Sequence, residues 1–140
     1  MRILFLSFLL TYSLFAANAA EAAKTLGAEN RYSSAVAKAQ KEKKMLIMVI
    51  VKEHCRWCDK MVDRTLSDST VRKAMENYVT LIVDKDDDFP ADFKENFFPS
   101  TFFIDAATQK SVYESAGFVG TKCFLNDLNE SRKIRDELYK

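Results

Sequence analysis

The stretch Met45-Leu46-Ile47-Met48-Val49-Ile50-Val51, followed by Lys52-Glu53-His54-Cys55-Arg56-Trp57-Cys58, decides how this chain is read. Seven consecutive apolar residues, β-branched toward their end, suit a strand buried on both faces. Such strands lie in the middle of a parallel sheet covered by helices. A buried helix needs a longer run, and this one stops at Lys52-Glu53. From Cys55 to Leu66 the pattern becomes helical, with Met61, Val62 and Leu66 facing inward. A C-x-x-C pair therefore sits where a buried strand hands over to a helix.

That setting has chemical consequences. Residues i and i+3 in the first turn of a helix share one face at ~5–6 Å, which is the separation a disulfide spans. Unpaired N–H groups and a partial positive charge at a helix start stabilise a thiolate. Arg56 adds a full positive charge beside it. Cys55 is thus the expected nucleophile, and Cys58, one turn deeper, the expected resolving thiol. His54 adjoins the pair and is a candidate to tune Cys55, as is Arg56. Trp57, between the cysteines, is expected to face a partner rather than the core.

Other uses of the pair fit less well. A zinc site wants four ligands, and neither Cys123 nor His54 has ligand spacing. A c-type haem site needs C-x-x-C-H, but residue 59 is Asp59. A purely structural disulfide would close a very small loop and constrain the unfolded chain little. No resident metal or cofactor is expected. Cys123, early in the last helix, reads as a buried, inert thiol.

Working outward, Tyr32, Ala35, Val36 and Ala39 mark a helix over Arg31–Lys44. Ser67-Asp68-Ser69 is a break and a cap. Val71, Met75 and Tyr78 carry a further helix, and Val79–Val83 is a second strand. The acidic loop Asp84–Asp88 lacks calcium-loop spacing. A short helix over Asp92–Phe97, strands at Thr101–Asp105 and Ser111–Ser115, and a last helix over Thr121–Leu138 complete the order. The last helix should bury Phe124, Leu125, Leu128, Ile134 and Leu138. The five-residue link between the last two strands suits an antiparallel hairpin. The expected fold is α/β, a central mixed four-stranded sheet flanked by helices.

Of the 140 residues 48% are hydrophobic, so one ordinary globular domain is expected. Twenty-one basic and 20 acidic residues nearly cancel, which gives no reason to expect a nucleic acid partner. Three glycines form no phosphate-cradling motif, and the single histidine rules out HExxH zinc chemistry. Arg2, the apolar run Ile3–Phe15 and Ala17-x-Ala19 have the pattern of a secretory signal peptide cleaved near Ala19. The apolar core is shorter than the ~20 residues of a spanning helix. No cysteine follows it to take a lipid. The expected organisation is a signal peptide over 1–19, a flexible leader over 20–30 and one domain over 31–140, soluble once mature and located in the periplasm.

From Tyr32 to Leu138 the chain resembles the thioredoxin superfamily, and within it the exported thioredoxin-like thiol:disulfide oxidoreductases of bacteria. The resemblance rests on the lysine-rich helix Ser34–Lys44, Cys55-Arg56-Trp57-Cys58-Asp59-Lys60-Met61, Thr65-Leu66-Ser67-Asp68-Ser69-Thr70-Val71 and Phe98-Pro99-Ser100-Thr101-Phe102-Phe103-Ile104-Asp105. It implies a thioredoxin-like fold, with Pro99 as the cis-proline facing the redox pair and Phe98 holding a substrate backbone. It also implies protein thiols and disulfides as substrates, and a reductase fed by an electron-transfer partner in the membrane or periplasm. Three departures stand out. Val49 occupies the place of a buried carboxylate, His54 replaces a tryptophan, and Arg56-Trp57 replaces Gly-Pro. A cation within the pair favours the thiolate and makes the disulfide more oxidising. Two other uses of the fold are a non-catalytic binding or holdase module, and copper handling by Cys55, Cys58 and His54.

Overall fold

The computed structural model describes residues 18–140. Residues 1–17, which hold most of the expected signal peptide, lie outside the described residues. Helices α1 (Ala19–Leu26) and α2 (Tyr32–Glu42) precede strand β1 (Met45–Val51). Helix α3 (Arg56–Lys60) continues as a π-helical stretch (Met61–Leu66), and α4 (Ser69–Met75) leads to β2 (Tyr78–Asp84). A 3-10 turn (Ala91–Phe93), β3 (Ser100–Asp105), β4 (Lys110–Ala116) and α5 (Thr121–Leu138) follow.

The sheet order is β2-β1-β3-β4. β1 pairs in parallel with β2, from Met45↔Tyr78 to Val51↔Asp84, and antiparallel with β3. β3 and β4 are antiparallel. The mixed four-stranded sheet is as expected, and β1 lies inside it rather than at an edge.

All seven β1 residues are buried, and they divide by parity. Met45, Ile47, Val49 and Val51 pack with Cys58, Met61, Leu66, Phe103, Phe124 and Leu128. Leu46, Met48 and Ile50 pack with Tyr32, Val36, Leu81, Phe102 and Ile104. The period-2 geometry of a strand sends alternate side chains to opposite layers. Each large side chain fully buried this way contributes about 1.5–3 kcal/mol.

Several elements differ from the sequence reading. Residues 20–30, expected as a flexible leader, instead form α1 and a clip on the sheet edge. Ala22 is 3% exposed and Ala23 1%. The reason is local. Alanine is the best helix former, the Asn18 side chain accepts from the Glu21 N–H at 2.8 Å, and Gly27 closes the helix at φ 66°. Just beyond, the Glu29 N–H donates to the Thr80 carbonyl at 2.8 Å, and the Ile82 N–H donates to the Glu29 carbonyl at 2.9 Å. These bonds cover the open edge of β2, which would otherwise be free to pair with another chain. The ordered body therefore starts before Arg31.

Tyr78, expected on a helix, opens β2, where its hydroxyl donates to the Leu128 carbonyl at 2.6 Å. The helix expected over Asp92–Phe97 shrinks to the 3-10 turn that follows Pro90. Leu138, expected to be buried, is 61% exposed, because the buried stripe of α5 ends at Ser131. The cap at Asp68 forms as expected, its carboxylate accepting from the Thr70 and Val71 N–H groups.

Ala23→Asp tests the packing of α1. Burying a carboxylate there is expected to lower stability by ~3 kcal/mol in urea unfolding. A loss below ~0.5 kcal/mol, the range of a surface change, would mean α1 is not packed.

Candidate redox site

β1 ends at Val51, and Lys52-Glu53-His54 turns the chain outward. His54 takes a left-handed backbone, φ 54°, an uncommon choice for a non-glycine residue. The turn lets Cys55 stand as the N-cap of α3, with its sulfur accepting from the Cys58 N–H at 3.2 Å. The Asp59 N–H donates to the Cys55 carbonyl at 3.0 Å. Cys55 and Cys58 are joined as a disulfide with Cα atoms 5.2 Å apart. Cys55 is 7% exposed and Cys58 2%, so both are buried and Cys55 is the less covered of the two.

The Phe98–Pro99 peptide is cis. The Phe98 carbonyl oxygen lies 3.8 Å from Cys55 Sγ. Pro99 is buried, and its carbonyl accepts from the Gly117 N–H at 2.7 Å. This bond ties the turn before β3 to the loop after β4. The Thr65 hydroxyl donates to the Val119 carbonyl at 2.6 Å, which ties that loop to the π-helical stretch. The structure thus brings Cys55, Cys58, Phe98 and Pro99 together.

Trp57 is 46% exposed and so lies outside the core. It leans on Phe118, their ring centroids 6.0 Å apart. The Arg56 guanidinium sits 5.2 Å from the Trp57 ring. His54 is exposed, and among the described residues its ring makes no hydrogen bond. Val49, in the place of a buried carboxylate, is fully buried and pairs in register with Thr101. The Thr101 hydroxyl is buried with no protein partner among the described residues.

Sequence reasoning missed four residues of this surface: Lys52, Lys60, Phe97 and Phe118. Lys60 lies 4.9 Å from the Trp57 ring and 4.5 Å from the Phe118 ring. The Trp57–Lys60 step is a helical i, i+3 pair and was legible. Phe118 reaches the site from a loop far along the chain, and no local pattern marks it. One assignment is corrected. Cys123 is exposed rather than buried, because the inward stripe of α5 runs through Phe124, Asp127, Leu128 and Ser131 and leaves residue 123 outside it.

Among the described residues no group of three or more His, Cys, Asp or Glu side chains is placed to hold a metal ion, so copper handling by His54, Cys55 and Cys58 gains no support. What the arrangement can do is exchange disulfides. It has a sulfur pair at a helix start, a backbone N–H directed at the outer sulfur, and a turn across from it.

Comparisons with known proteins agree. The family model described as "Thioredox_DsbH: Protein of unknown function, DUF255" matches residues 25–115. No curated protein gives a match. Among solved structures, a thioredoxin from Thermus thermophilus is 25% identical, with a TM-score of 0.64 over 74% of this chain and 85% of that one. A structure titled DsbH oxidoreductase is 19% identical, with a TM-score of 0.61 over 88% of this chain and 90% of that one. The oxidised DsbD C-terminal domain of Neisseria meningitidis is 18% identical, with a TM-score of 0.59 over 75% of this chain and 100% of that domain. The last two likenesses speak to the fold.

Thiol alkylation read by mass spectrometry checks the exposure order. In the oxidised protein iodoacetamide is expected on Cys123 alone. After reduction Cys55 should be modified next and Cys58 last. Modification of Cys58 ahead of Cys55 would reverse the assignment of nucleophile and resolving thiol.

Proposed function

The chain belongs to the Thioredox_DsbH family, and on that premise we propose that it is an exported thiol:disulfide oxidoreductase that reduces disulfides in protein substrates. The fold is thioredoxin-like, and the Cys55–Cys58 pair equips it for thiol–disulfide exchange. The observation that carries the reading is the sulfur pair on the cap of α3, faced by the cis Phe98–Pro99 turn.

In the reduced protein, Cys55 is the nucleophile. Its thiolate attacks one sulfur of a substrate disulfide. A Cys55–substrate disulfide forms, and the other substrate sulfur leaves as a thiolate that takes up a proton. Cys58 then loses its proton and attacks Cys55 Sγ. The Cys55–Cys58 bond closes and the second substrate thiol departs. Two electrons pass from the protein dithiol to the substrate. A reduced electron-transfer partner, in the membrane or the periplasm, returns them by the same exchange run backward.

Local features support Cys55 as the attacking group. The Cys58 N–H already points at its sulfur, and hydrogen bonding to the charged form favours that form. Arg56 and His54 adjoin it, with Arg56 contributing positive charge. Phe98 and Pro99 shape the surface that receives substrate backbone, and Trp57 flanks it. Export to the periplasm is supported by the N-terminal sequence, with cleavage near Ala19. Among the described residues no helix is long and apolar enough to cross a membrane.

A Cys58→Ser variant is the direct test. It is expected to accumulate mixed disulfides with proteins of its native compartment, seen as reductant-sensitive bands on non-reducing gels. Cys55→Ser should accumulate none. Equal trapping by both variants, or by neither, would remove Cys55 as nucleophile. Direction is read from the redox state in the cell. A reductase should be recovered mainly as the dithiol, and recovery mainly as the disulfide would assign it as an oxidant.

A further inference from the structure

Positive charge is held on aromatic faces around the disulfide. Of the five cation–π contacts among the described residues, four lie here. Lys52 Nζ is 5.6 Å from the Phe98 ring, Arg56 stacks on Trp57, and Lys60 bridges Trp57 and Phe118. None of these three cations is in an ion pair among the described residues, whose pairs are Lys38–Glu29, Lys44–Glu42, Lys85–Asp86 and Arg135–Asp136. A ring attracts an ammonium or guanidinium without using up its N–H donors. Lys52, Arg56 and Lys60 are also exposed, so those donors are open to an incoming anion.

Carboxylates near this rim are Glu53, Asp59 and Asp63 in the same stretch, and the loop after β2. Asp84 lies beside Val51 at the same end of the sheet, so the loop needs consideration. Three of its four aspartates are engaged within it, and Asp88 makes no side-chain bond among the described residues. Asp84 accepts from the Asp86 N–H, Asp87 accepts from the Asp84 N–H, and Asp86 pairs with Lys85. Apolar surface completes the rim. Of the large hydrophobic side chains exposed among the described residues, Trp57 lies between the two cysteines and Phe97 directly precedes the Phe98–Pro99 turn, whereas Leu138 and Tyr139 lie at the chain end.

We propose that Lys52, Arg56 and Lys60 select polypeptide partners whose reacting cysteine lies in an acidic segment, while Trp57 and Phe97 receive an apolar residue beside it. Rim charges act mainly on encounter rate and partner choice. The proposal rests on the exchange reading given above and names the substrate class of that same site.

The test uses three peptides identical except for the residues flanking one cysteine: Asp, Asn or Lys. Each cysteine is carried as a mixed disulfide with 2-nitro-5-thiobenzoate. The Cys55 thiolate attacks the peptide sulfur and expels thionitrobenzoate, which is read by absorbance. Cys58 then displaces the peptide thiol and closes the Cys55–Cys58 bond. Each rate is divided by that of the same peptide with free dithiothreitol, which removes intrinsic reactivity. The Asp peptide is expected to react ~10-fold faster than the Lys peptide at low salt, with Asn between. At ~0.5 M salt the three should converge. In Lys52→Glu/Lys60→Glu, both changes at exposed positions, the order should invert. Equal rates, or an Asp preference that survives both salt and the charge reversal, would overturn the proposal. No exchange with any peptide or with neutral hydroxyethyl disulfide would instead overturn the exchange reading, so the two failures are distinguishable.

Discussion

The two-sided burial of β1 is the constraint on which the rest of the molecule depends. A strand with seven core side chains and no polar face needs a neighbour strand on each edge and a helical layer on each side. β2 and β3 supply the edges. α2 covers one face, and α3, the π-helical stretch and α5 cover the other. Where the apolar run ends, the chain must leave the core at once. The first residues of the outgoing helix are therefore placed at the end of the sheet, where the Cys58 N–H is turned toward the Cys55 sulfur. The reactive pair is seated where the core meets this end of the sheet, with Cys55 the less covered of the two.

Rigidity around the pair comes from polar ties between distant segments. Pro99 is bonded to Gly117, and Thr65 to Val119. Together they tie the turn before β3, the loop after β4 and the active helix into one frame. Cys58 and Met61 lie against that frame from within, at 2% and 0% exposure. A thiol exchange site needs such support, because the second sulfur must reach the first without a search.

Much of this was legible because strong local signals agreed. The apolar run, the Asp68 cap and the C-x-x-C spacing each point to the observed element. What escaped has physical causes. Alanine is small and only weakly apolar, so the Ala22–Ala23 face of α1 carries little periodic contrast, yet its size lets the helix pack closely. Tyr78 satisfies both a helical and a strand spacing, and the parallel register with Met45 decides for the strand. Cys123 sits one residue before the buried Phe124, and one residue is 100° of helix turn, enough to move it out to solvent. The Lys60–Phe118 contact joins residues 58 positions apart, beyond the reach of any window of sequence.

Helix α1 also bears on how its own peptide bonds can be reached. Ala19 is 4% exposed and lies in the first turn, directly after the Asn18 cap. Proteases take their targets as extended backbone, whereas the Ala19–Ala20 bond is coiled, with the Ala19 side chain packed inward. An enzyme that cuts peptide backbone would reach that bond only where α1 is unwound.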